Sequence, residues 1–394
     1  MRPRPAIRAR LAAAAAARAE AHLTRRLREV DAIDGMHLGV DGQRLLSFAG
    51  NDYLGLAGHP LLREALKAGV DRWGLGSTAS ALVCGRRAAH HELEQALADW
   101  TGYPRALLFA SGYQCALAVL PALLGRDDLC VQDRLNHACL IDGARLSGAA
   151  LKRYPHLDVD GAARQLGQRP EAAALLATDS VFSMDGDQAP LAGLARLAAD
   201  EGAMLLIDDA HGLGVLGHDG AGSVAAAGLG PADVPLLMGT LGKALGSFGA
   251  FVAAEDAIID ALIQEARGLV YSTAPPPALA AATLAAVAVA RSEGWRRERV
   301  QMLIARVREG AAALDLPLLP SATPIQPVLL GAAERVLKVA ETLREAGLWV
   351  PAIRPPTVPA GRARLRISLS AGHSEADIDR LLDALAQALK AHPS

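Results

Sequence analysis

The sequence predicts an α/β fold built on a mostly parallel sheet. Three apolar segments, 106–110, 173–178 and 203–207, have the length and composition of buried strands. Each ends in a turn of small or polar residues, and the first is followed by an Ala/Leu pattern that predicts a helix. Alternating strands and helices are typical of parallel sheets, which bind ligands at the carboxyl ends of their strands.

The overall composition favours small-molecule partners. With 394 residues, 51% of them hydrophobic, the chain can bury a large core and is expected to form two or three structural units. The 40 basic and 42 acidic residues give a formal net charge of −2, which creates no field for nucleic acid or for an anionic membrane. The apolar runs are too interrupted to span a bilayer, and the four cysteines show no CxxC spacing. We therefore expect a cytoplasmic protein whose cysteines are reduced and buried.

The two ends of the chain have different patterns. From Pro5 to about Val30 an Ala/Leu/Arg pattern predicts a helix with a basic face. A transit peptide has a similar composition, but Glu20 and Glu29 interrupt this one. Beyond about Ala278 the pattern predicts one long helix, followed by a smaller α/β unit with strands near 325–330, 349–350 and 364–369.

The segment 239–246 places Lys243 among glycines and a threonine hydroxyl, after an apolar run. A lysine amine has a pKa of about 10.4 and becomes a nucleophile only where burial or a neighbouring charge lowers that value. Alone, the segment also fits a solvated turn. Asp208, however, follows a predicted buried strand, and a pyridoxal phosphate (PLP) enzyme needs both a Schiff-base lysine and an acid on the pyridinium nitrogen. Asp208 and Lys243 together fit that requirement.

The run Asp-Asp-Ala-His-Gly at 208–212, followed by Thr-Leu-Gly-Lys at 240–243, resembles the α-oxoamine synthase family of fold-type I PLP-dependent transferases. The resemblance extends over most of the chain. It implies a large domain with a mostly parallel seven-stranded sheet flanked by helices, and a smaller C-terminal α/β domain. The domains are expected at 1–50 (N-terminal helix and short strands), 51–280 (PLP-binding domain) and 281–394 (small domain).

The resemblance also implies catalytic roles for four residues. Lys243 would form the Schiff base with PLP and then remove the Cα proton of the substrate. Asp208 would hold the ring nitrogen protonated, and His211 would hydrogen-bond the phenolic oxygen. His137, in the run Asp-Arg-Leu-Asn-His-Ala at 133–138, would stack on the cofactor ring and bind the substrate carboxylate.

The remaining cofactor contacts follow from the same resemblance. The amides of Gly112 and Tyr113 would hold the phosphate, and the hydroxyl of Thr240 would donate to it. Ser183, in the run Phe-Ser-Met-Asp-Gly-Asp, would lie near the phenolic oxygen. Thr273 would reach the phosphate of a second subunit, which implies a homodimer with its active site at the subunit interface.

Besides His137, the same resemblance implies that four further residues contact substrates. Arg25 is the candidate for the carboxylate of the acyl substrate, although Arg26 or Arg28 fits under a small shift of the alignment. Asn51 would lie near the substrate. In the proline-rich segment 352–359, Arg354 would pair with the carboxylate of the amino acid, and Thr357 would contact the acyl chain.

The expected reaction is the decarboxylative condensation of L-alanine with pimeloyl-CoA, or with the corresponding carrier-protein thioester, in biotin synthesis. One rival is the sister reaction of glycine with acetyl-CoA. Another is a catalytically inactive fold-type I subunit that serves as a dimer scaffold, against which the retention of Lys243, Asp208 and His137 argues.

Two further motifs have ordinary interpretations. The glycine-rich segment 74–80 lacks the lysine and spacing of a P-loop, which leaves the roles of Ser77 and Ser80 open. His90 and His91 are adjacent on a predicted helix, whereas helical metal ligands need i, i+4 spacing, so we expect surface histidines and no metal site.

Overall fold

The computed structural model describes residues 6–393. Its helices, in chain order, are α1 (Ile7–Glu20), α2 (Pro60–Trp73), α3 (Ala88–Thr101), α4 (Gly112–Leu123), α5 (Ala138–Ser147), α6 (Val159–Leu166), α7 (Leu191–Asp200), α8 (Ser223–Ala226), α9 (Asp256–Glu265), α10 (Arg267–Val270), α11 (Pro277–Ser292), α12 (Trp295–Ala313), α13 (Ala333–Glu345) and α14 (Glu375–Ala391), with a π-helical turn at Ala81–Gly85. The strands are β1 (Val30–Asp34), β2 (His37–Val40), β3 (Gln43–Ser47), β4 (Arg105–Phe109), β5 (Leu129–Asp133), β6 (Ala150–Tyr154), β7 (Ala174–Asp179), β8 (Met204–Asp208), β9 (Leu236–Thr240), β10 (Ala250–Ala254), β11 (Ile325–Gly331), β12 (Leu348–Trp349), β13 (Ala352–Ile353) and β14 (Ala363–Ser368).

The larger compact unit comprises Asn51–Ser183 and Asp187–Val300. It contains a seven-stranded sheet in the order β4-β10-β9-β8-β7-β5-β6. Neighbouring strands are parallel except at β10, which is antiparallel to both β4 and β9. The predicted mostly parallel seven-stranded sheet is confirmed.

The central strands form because nearly all of their side chains are apolar and buried. In β8, Leu205, Leu206 and Ile207 are fully buried, as expected for a parallel strand covered on both faces. Helix α4 packs on α5 and contacts β4, β9 and β10. This packing fixes the carboxyl ends of the strands, where the polar residues begin.

The smaller unit comprises the described residues of the segments 1–50, 184–186 and 301–394. One sheet has the order β1-β2-β3-β12, in which β12 runs parallel to β3, and an antiparallel sheet has the order β11-β14-β13. The guanidinium of Arg364 is buried and forms an ion pair with Asp185. Burial of an arginine requires such a partner.

The structure differs from the sequence predictions at four points. Helix α1 ends at Glu20 rather than near Val30, because none of its side chains is buried and His22 adopts a positive φ of 57°. The predicted start at Pro5 lies outside the described residues. The single long helix after Ala278 is two helices, separated where Glu293 leaves the helical conformation. Cys84 is exposed in the π-helical turn, whereas the other three cysteines are buried.

The fourth difference is the extent of the C-terminal segment. Its compact part begins at Gln301 rather than at residue 281. The reason is that α11 packs on α2 and α3 of the larger unit. The described residues up to Gly50 fall in the same unit as the C-terminal segment, because β3 pairs with β12. Within residues 6–393, no helix has the length and apolar character needed to cross a bilayer.

Candidate active site

A cavity of about 180 Å³ lies at the carboxyl ends of the central strands of the larger unit. This is where open α/β sheets bind ligands. Most of the residues predicted to bind PLP or to act in catalysis line it: Gly112, Tyr113, His137, Ser183, Asp208, His211, Thr240 and Lys243. Residues spread over 132 positions of the sequence therefore meet at one site.

The strand ends explain this convergence. Asp208 is the last residue of β8, and Thr240 is the last residue of β9. Helix α4 begins at Gly112, soon after β4 ends, and α5 begins directly after His137. Since these strands run in the same direction, the segments that follow them meet at the same edge of the sheet.

Lys243 and Asp208 line the same cavity, as a PLP site requires. The Nζ atom of Lys243 lies 2.8 Å from Nε2 of His211. The other ring nitrogen of His211, Nδ1, lies 2.7 Å from the hydroxyl oxygen of Tyr53. Tyr53 in turn donates to Oδ1 of Asn51 at 3.1 Å. Asn51 does not line the cavity but is linked to it through this chain of hydrogen bonds.

The loop that carries Asp208 and His211 is fixed by the next carboxylate, Asp209. This side chain is fully buried and accepts hydrogen bonds from the hydroxyls of Ser180 and Ser223. Burial raises the pKa of Asp209 to about 6, while these hydrogen bonds act in the opposite direction. A Cβ atom at Gly212 would lie 2.2 Å from the Asp209 carboxylate, so only glycine fits there.

His137 is held by a backbone hydrogen bond and lies close to two carboxyl groups. Its backbone N–H donates to Oδ2 of Asp179 at 3.0 Å. Burial lowers the pKa of His137, while the charge of Asp208 acts in the opposite direction. Burial also holds the pKa of Asp179 well above its usual range, and the neighbouring charge of Asp208 adds to this effect. In this cavity, burial thus favours the uncharged form of the His137 imidazole and the protonated form of the Asp179 carboxyl group, and both lie beside Asp208.

The amino end of α4 supplies the features of an anion site. A helix leaves its first N–H groups without intrahelical partners and carries a partial positive charge at that end. The Ser111 hydroxyl accepts from the Gln114 amide at 3.2 Å, while no atom lies within 4 Å of the position of a Cβ at Gly112. A phosphate can therefore approach the backbone of Gly112 and Tyr113 closely.

These residues fit PLP. An apolar cavity of about 150 Å³ accepts benzene, so a cavity of about 180 Å³ has the size for one substituted aromatic ring. It offers an amine, an acid and an anion site at separate points of its wall. One detail differs from the expectation, because the Thr240 hydroxyl donates to the carbonyl oxygen of Gly249 at 3.1 Å. Donation to a phosphate would require that hydrogen bond to break.

Four predicted residues lie elsewhere. Thr273 pairs with Ser80 in an isolated antiparallel bridge and lines a second cavity of about 360 Å³ beside β4. In the smaller unit, Arg25 donates to the hydroxyl of Thr357 at 3.0 Å. Arg354 donates to the backbone carbonyls of His22 and Thr24. Burial lowers the pKa of Arg354, and the charge of Arg25 acts in the same direction.

The structure also places His90, His91 and Ser77, the residues of the two motifs for which the sequence predicts no role in catalysis. His90 is buried rather than at the surface, because Nδ1 accepts from the Arg87 amide at 2.9 Å and Nε2 lies 2.7 Å from the Pro275 carbonyl oxygen. His91 is exposed, as predicted. Ser77 donates to the same Pro275 carbonyl at 2.6 Å, which gives it a structural contact.

Sequence reasoning missed three residues of the site. Tyr53 hydrogen-bonds His211, and Asp179 and Cys139 line the cavity. Asp179 directly follows a predicted strand, as Asp208 does, and this signal could have identified it. Cys139 lies two residues after His137, and the sequence predicts for it only a buried, reduced cysteine. Nothing in the local sequence indicates that Tyr53 meets a histidine 158 positions later.

The fold and this site define the class of protein. A mostly parallel seven-stranded sheet with a lysine and an aspartate at its ligand-binding edge is the arrangement of a fold-type I PLP-dependent transferase. The family model described as aminotransferase class I and II matches residues 43–385. The chain therefore belongs to the aminotransferase class I and II family.

Two curated relatives with more than half of their aligned residues identical to this chain carry the same name. The chain is 52% identical over 377 residues to the 8-amino-7-oxononanoate synthase of Stutzerimonas stutzeri, with 96% of each chain covered. It is 54% identical over 376 residues to the enzyme of the same name from Alkalilimnicola ehrlichii, covering 95% of this chain and 96% of the relative.

Among solved structures, a serine palmitoyltransferase from S. paucimobilis with a bound PLP–myriocin aldimine superposes with a TM-score of 0.93. It is 27% identical to this chain, and the match covers 98% of this chain and 99% of that one. An 8-amino-7-oxononanoate synthase from Francisella tularensis gives a TM-score of 0.76 at 30% identity, covering 88% and 98% of the two chains.

Proposed function

We propose that the protein catalyses the PLP-dependent decarboxylative condensation of L-alanine with a pimeloyl thioester, in biotin synthesis. The Cα of alanine forms a bond to the acyl carbon while the thiol leaves, the carboxyl group leaves as CO2, and a proton takes its place. The product is 8-amino-7-oxononanoate. The observation that carries the proposal is the convergence of Lys243 and Asp208 on one cavity in a chain 52% identical to an enzyme of that name.

Lys243 and Asp208 have complementary roles. Bound PLP supplies an aldehyde for the lysine amine and an electron sink for the electrons released at the substrate Cα. With its amine free, Lys243 would act as a general base and accept the proton that leaves the substrate Cα. Asp208 presents its carboxylate to a ring nitrogen and stabilises the positive charge there. His211, 2.8 Å from Nζ of Lys243, holds the lysine in the cavity.

The other cavity residues hold the reactants. The amides of Gly112 and Tyr113, at the amino end of α4, bind the phosphate, and Ser183 lies on the cavity wall as a hydroxyl partner for the cofactor. Because burial lowers the pKa of His137 and so favours the uncharged ring, this ring can stack on an aromatic system and still offer one N–H to the carboxylate of alanine.

For the substrate-binding residues, support comes from the cluster in the smaller unit. Arg25 and Thr357 share a hydrogen bond of 3.0 Å, and the charge of Arg25 contributes to the lowered pKa of Arg354. Two arginines whose charges repel are stabilised when a carboxylate binds. We assign Arg354 to the alanine carboxylate, and Arg25 with Thr357 to the acyl chain and its distal carboxylate.

We also propose that the enzyme acts as a homodimer in the cytoplasm. The segments joined by the bridge between Ser80 and Thr273 expose apolar side chains, since Leu75 is 83%, Val83 78% and Tyr271 72% exposed. Exposed apolar patches of this kind mark interaction sites. A second copy placed there would bring its own Thr273 to the phosphate. The three buried cysteines are free thiols, as is usual in a reducing compartment.

The test is a substrate comparison on the purified, PLP-loaded protein. Alanine with pimeloyl-CoA should release CoA and CO2 and yield 8-amino-7-oxononanoate, identified by mass spectrometry. Pimeloyl-carrier protein is assayed in parallel to find the preferred acyl donor. Faster turnover of glycine with acetyl-CoA would replace this proposal by the sister reaction. A protein that binds PLP but turns over neither pair would favour the scaffold.

A further inference from the structure

Cys139 lines the cofactor cavity between two residues with assigned roles, and it has none of its own. Its side chain is 1% exposed. The sulfur atom lies 2.9 Å from Nδ1 of His137 and 3.8 Å from Oδ2 of Asp208. Burial keeps the pKa of this thiol well above its ordinary value, and the charge of Asp208 adds to that effect. The group is therefore a thiol that carries a proton, not a thiolate.

The hydrogen bonds at Nδ1 define the state of the His137 ring. His137 is the N-cap of α5, and its Nδ1 accepts from the backbone N–H of Cys139 at 3.4 Å. The thiol lies within hydrogen-bond distance of two acceptors, Nδ1 of His137 at 2.9 Å and Oδ2 of Asp208 at 3.8 Å, and the nitrogen is the nearer of the two. A protonated Nδ1 would face the N–H of the helix end, so the backbone contact favours the tautomer in which Nδ1 accepts and Nε2 carries the ring proton.

We propose that Cys139 is a positioning residue, which holds His137 uncharged with its proton on Nε2 so that the ring presents an N–H donor to the cavity. The proposal rests on the proposed function, in which that donor binds the carboxylate of the amino acid. A thiol at this point satisfies Nδ1 without adding a charge beside Asp208. A methyl group would leave Nδ1 with the backbone donor alone, and a hydroxyl would preserve both contacts.

Several charged groups act on His137 besides the thiol. Asp208 and Asp142 favour the imidazolium, while Lys243 opposes it, and burial is the largest effect. The carboxyl group of Asp179 accepts from the backbone of His137. Because all of these remain in a Cys139 variant, a change in titration isolates the contribution of the thiol.

The experiment titrates His137 in the full-length, PLP-loaded protein labelled with ¹⁵N in its histidine rings. His137→Asn identifies the resonances. In the parent protein we expect the Nε2–H tautomer, titrating below the ordinary histidine range. In Cys139→Ala the pKa of His137 should rise by roughly half a unit to one unit, the worth of one modest hydrogen bond. Cys139→Ser should restore the parental titration.

Kinetics provide the second measurement. In Cys139→Ala the KM for alanine should increase about 3- to 10-fold, the acidic limb of the kcat/KM profile should move to higher pH, and Cys139→Ser should reverse both changes. Cys130→Ala is the matched control, because Cys130 is equally buried in β5 and its sulfur contacts Gln132. Identical His137 titrations in the parent, Ala and Ser proteins would overturn the proposal. An inactive parent protein with the expected titrations would instead refute the proposed function.

Discussion

The cofactor cavity of the larger unit and the arginine cluster of the smaller unit are built in different ways. In the cavity, polar side chains bond to one another and are buried, with Asp208 8% and His211 7% exposed. In the cluster, Arg354 bonds to backbone carbonyls, and Arg25 and Thr357 are exposed. The first arrangement holds its side chains in place through one another, whereas the second leaves charged donors exposed. If the proposed assignments hold, the reaction geometry depends on the cavity and the choice of substrate on the cluster.

The largest expected effect tests the cavity itself. Lys243→Ala should lower kcat by at least about 10²- to 10⁴-fold, because the general base is lost. The parent should purify yellow and bleach on borohydride reduction, whereas the variant should show neither property. Visible spectroscopy and CoA release measure the two effects. Lys152→Ala, on β6 and outside the cavity lining, is the control. A yellow, reducible Lys243→Ala protein would show that the amine lies elsewhere.

The second prediction concerns a charge cluster of the larger unit. His156 lies 3.0 Å from Asp133 and 2.9 Å from Asp187. Although burial alone would lower the pKa of His156, these carboxylates raise it to about 9. A histidine with a raised folded-state pKa stabilises fully below the ordinary value of about 6.5, and this contribution is lost as pH rises through about 9.

His156→Gln should therefore lower the free energy of unfolding by about 2–3 kcal/mol at pH 6. The difference from the parent should shrink as the pH approaches 10. Urea unfolding at pH 6, 8 and 10 measures it, with the exposed His218→Gln as control. A difference independent of pH would mean that packing against Phe182, rather than charge, explains the effect.

The third prediction tests the cluster. Arg354→Lys should raise the KM for alanine roughly 10- to 100-fold with little change in the visible spectrum, because lysine keeps the charge but not the bidentate fork. Arg362→Lys, an exposed position in the same loop region, should behave as the parent. If Arg354→Lys instead lowered the melting temperature and left KM unchanged, the role of Arg354 would be to hold the backbone at His22 and Thr24.

The smallest expected effect tests whether Tyr53, which does not line the cavity, acts on it through its hydrogen bond to His211. Tyr53→Phe removes the hydroxyl between Asn51 and His211. Loss of one hydrogen bond of about 1 kcal/mol predicts a kcat about 5-fold lower, and a shifted visible absorbance maximum. The control is Tyr103→Phe, which removes a buried hydroxyl that donates to Val234 instead. It should affect stability alone. Equal spectra for both variants would exclude Tyr53 from the site.

Much of this site could be predicted because it lies at strand ends. Asp208 and the segment with Lys243 follow apolar strands, and parallel strands bring such ends together. Tyr53 could not be predicted, since its contact with His211 depends on tertiary packing. The buried state of His90 was also hidden, because its acceptor at Pro275 is 185 positions away. Helix α1 illustrates a different limit of sequence reasoning. Its helix-forming pattern predicts a helix as far as Val30, but the helix buries no side chain and ends at Glu20.

The antiparallel strand β10 has one further consequence. The lysine lies on a return connection of nine residues, 241–249, closed at its base by the pairing of Thr240 with Ala250 and by the Leu241 amide donating to Gly249 at 2.9 Å. In this hairpin the two ends of the connection are hydrogen-bonded to each other, whereas the two ends of a crossover connection between parallel strands are not adjacent. Both ends of the segment that carries the Lys243 amine are therefore hydrogen-bonded to each other, and its four side-chain torsions are left to move the amine within the cavity. Lengthening the hairpin by even one residue should therefore be tolerated far less than a similar insertion at the tips of the surface loops.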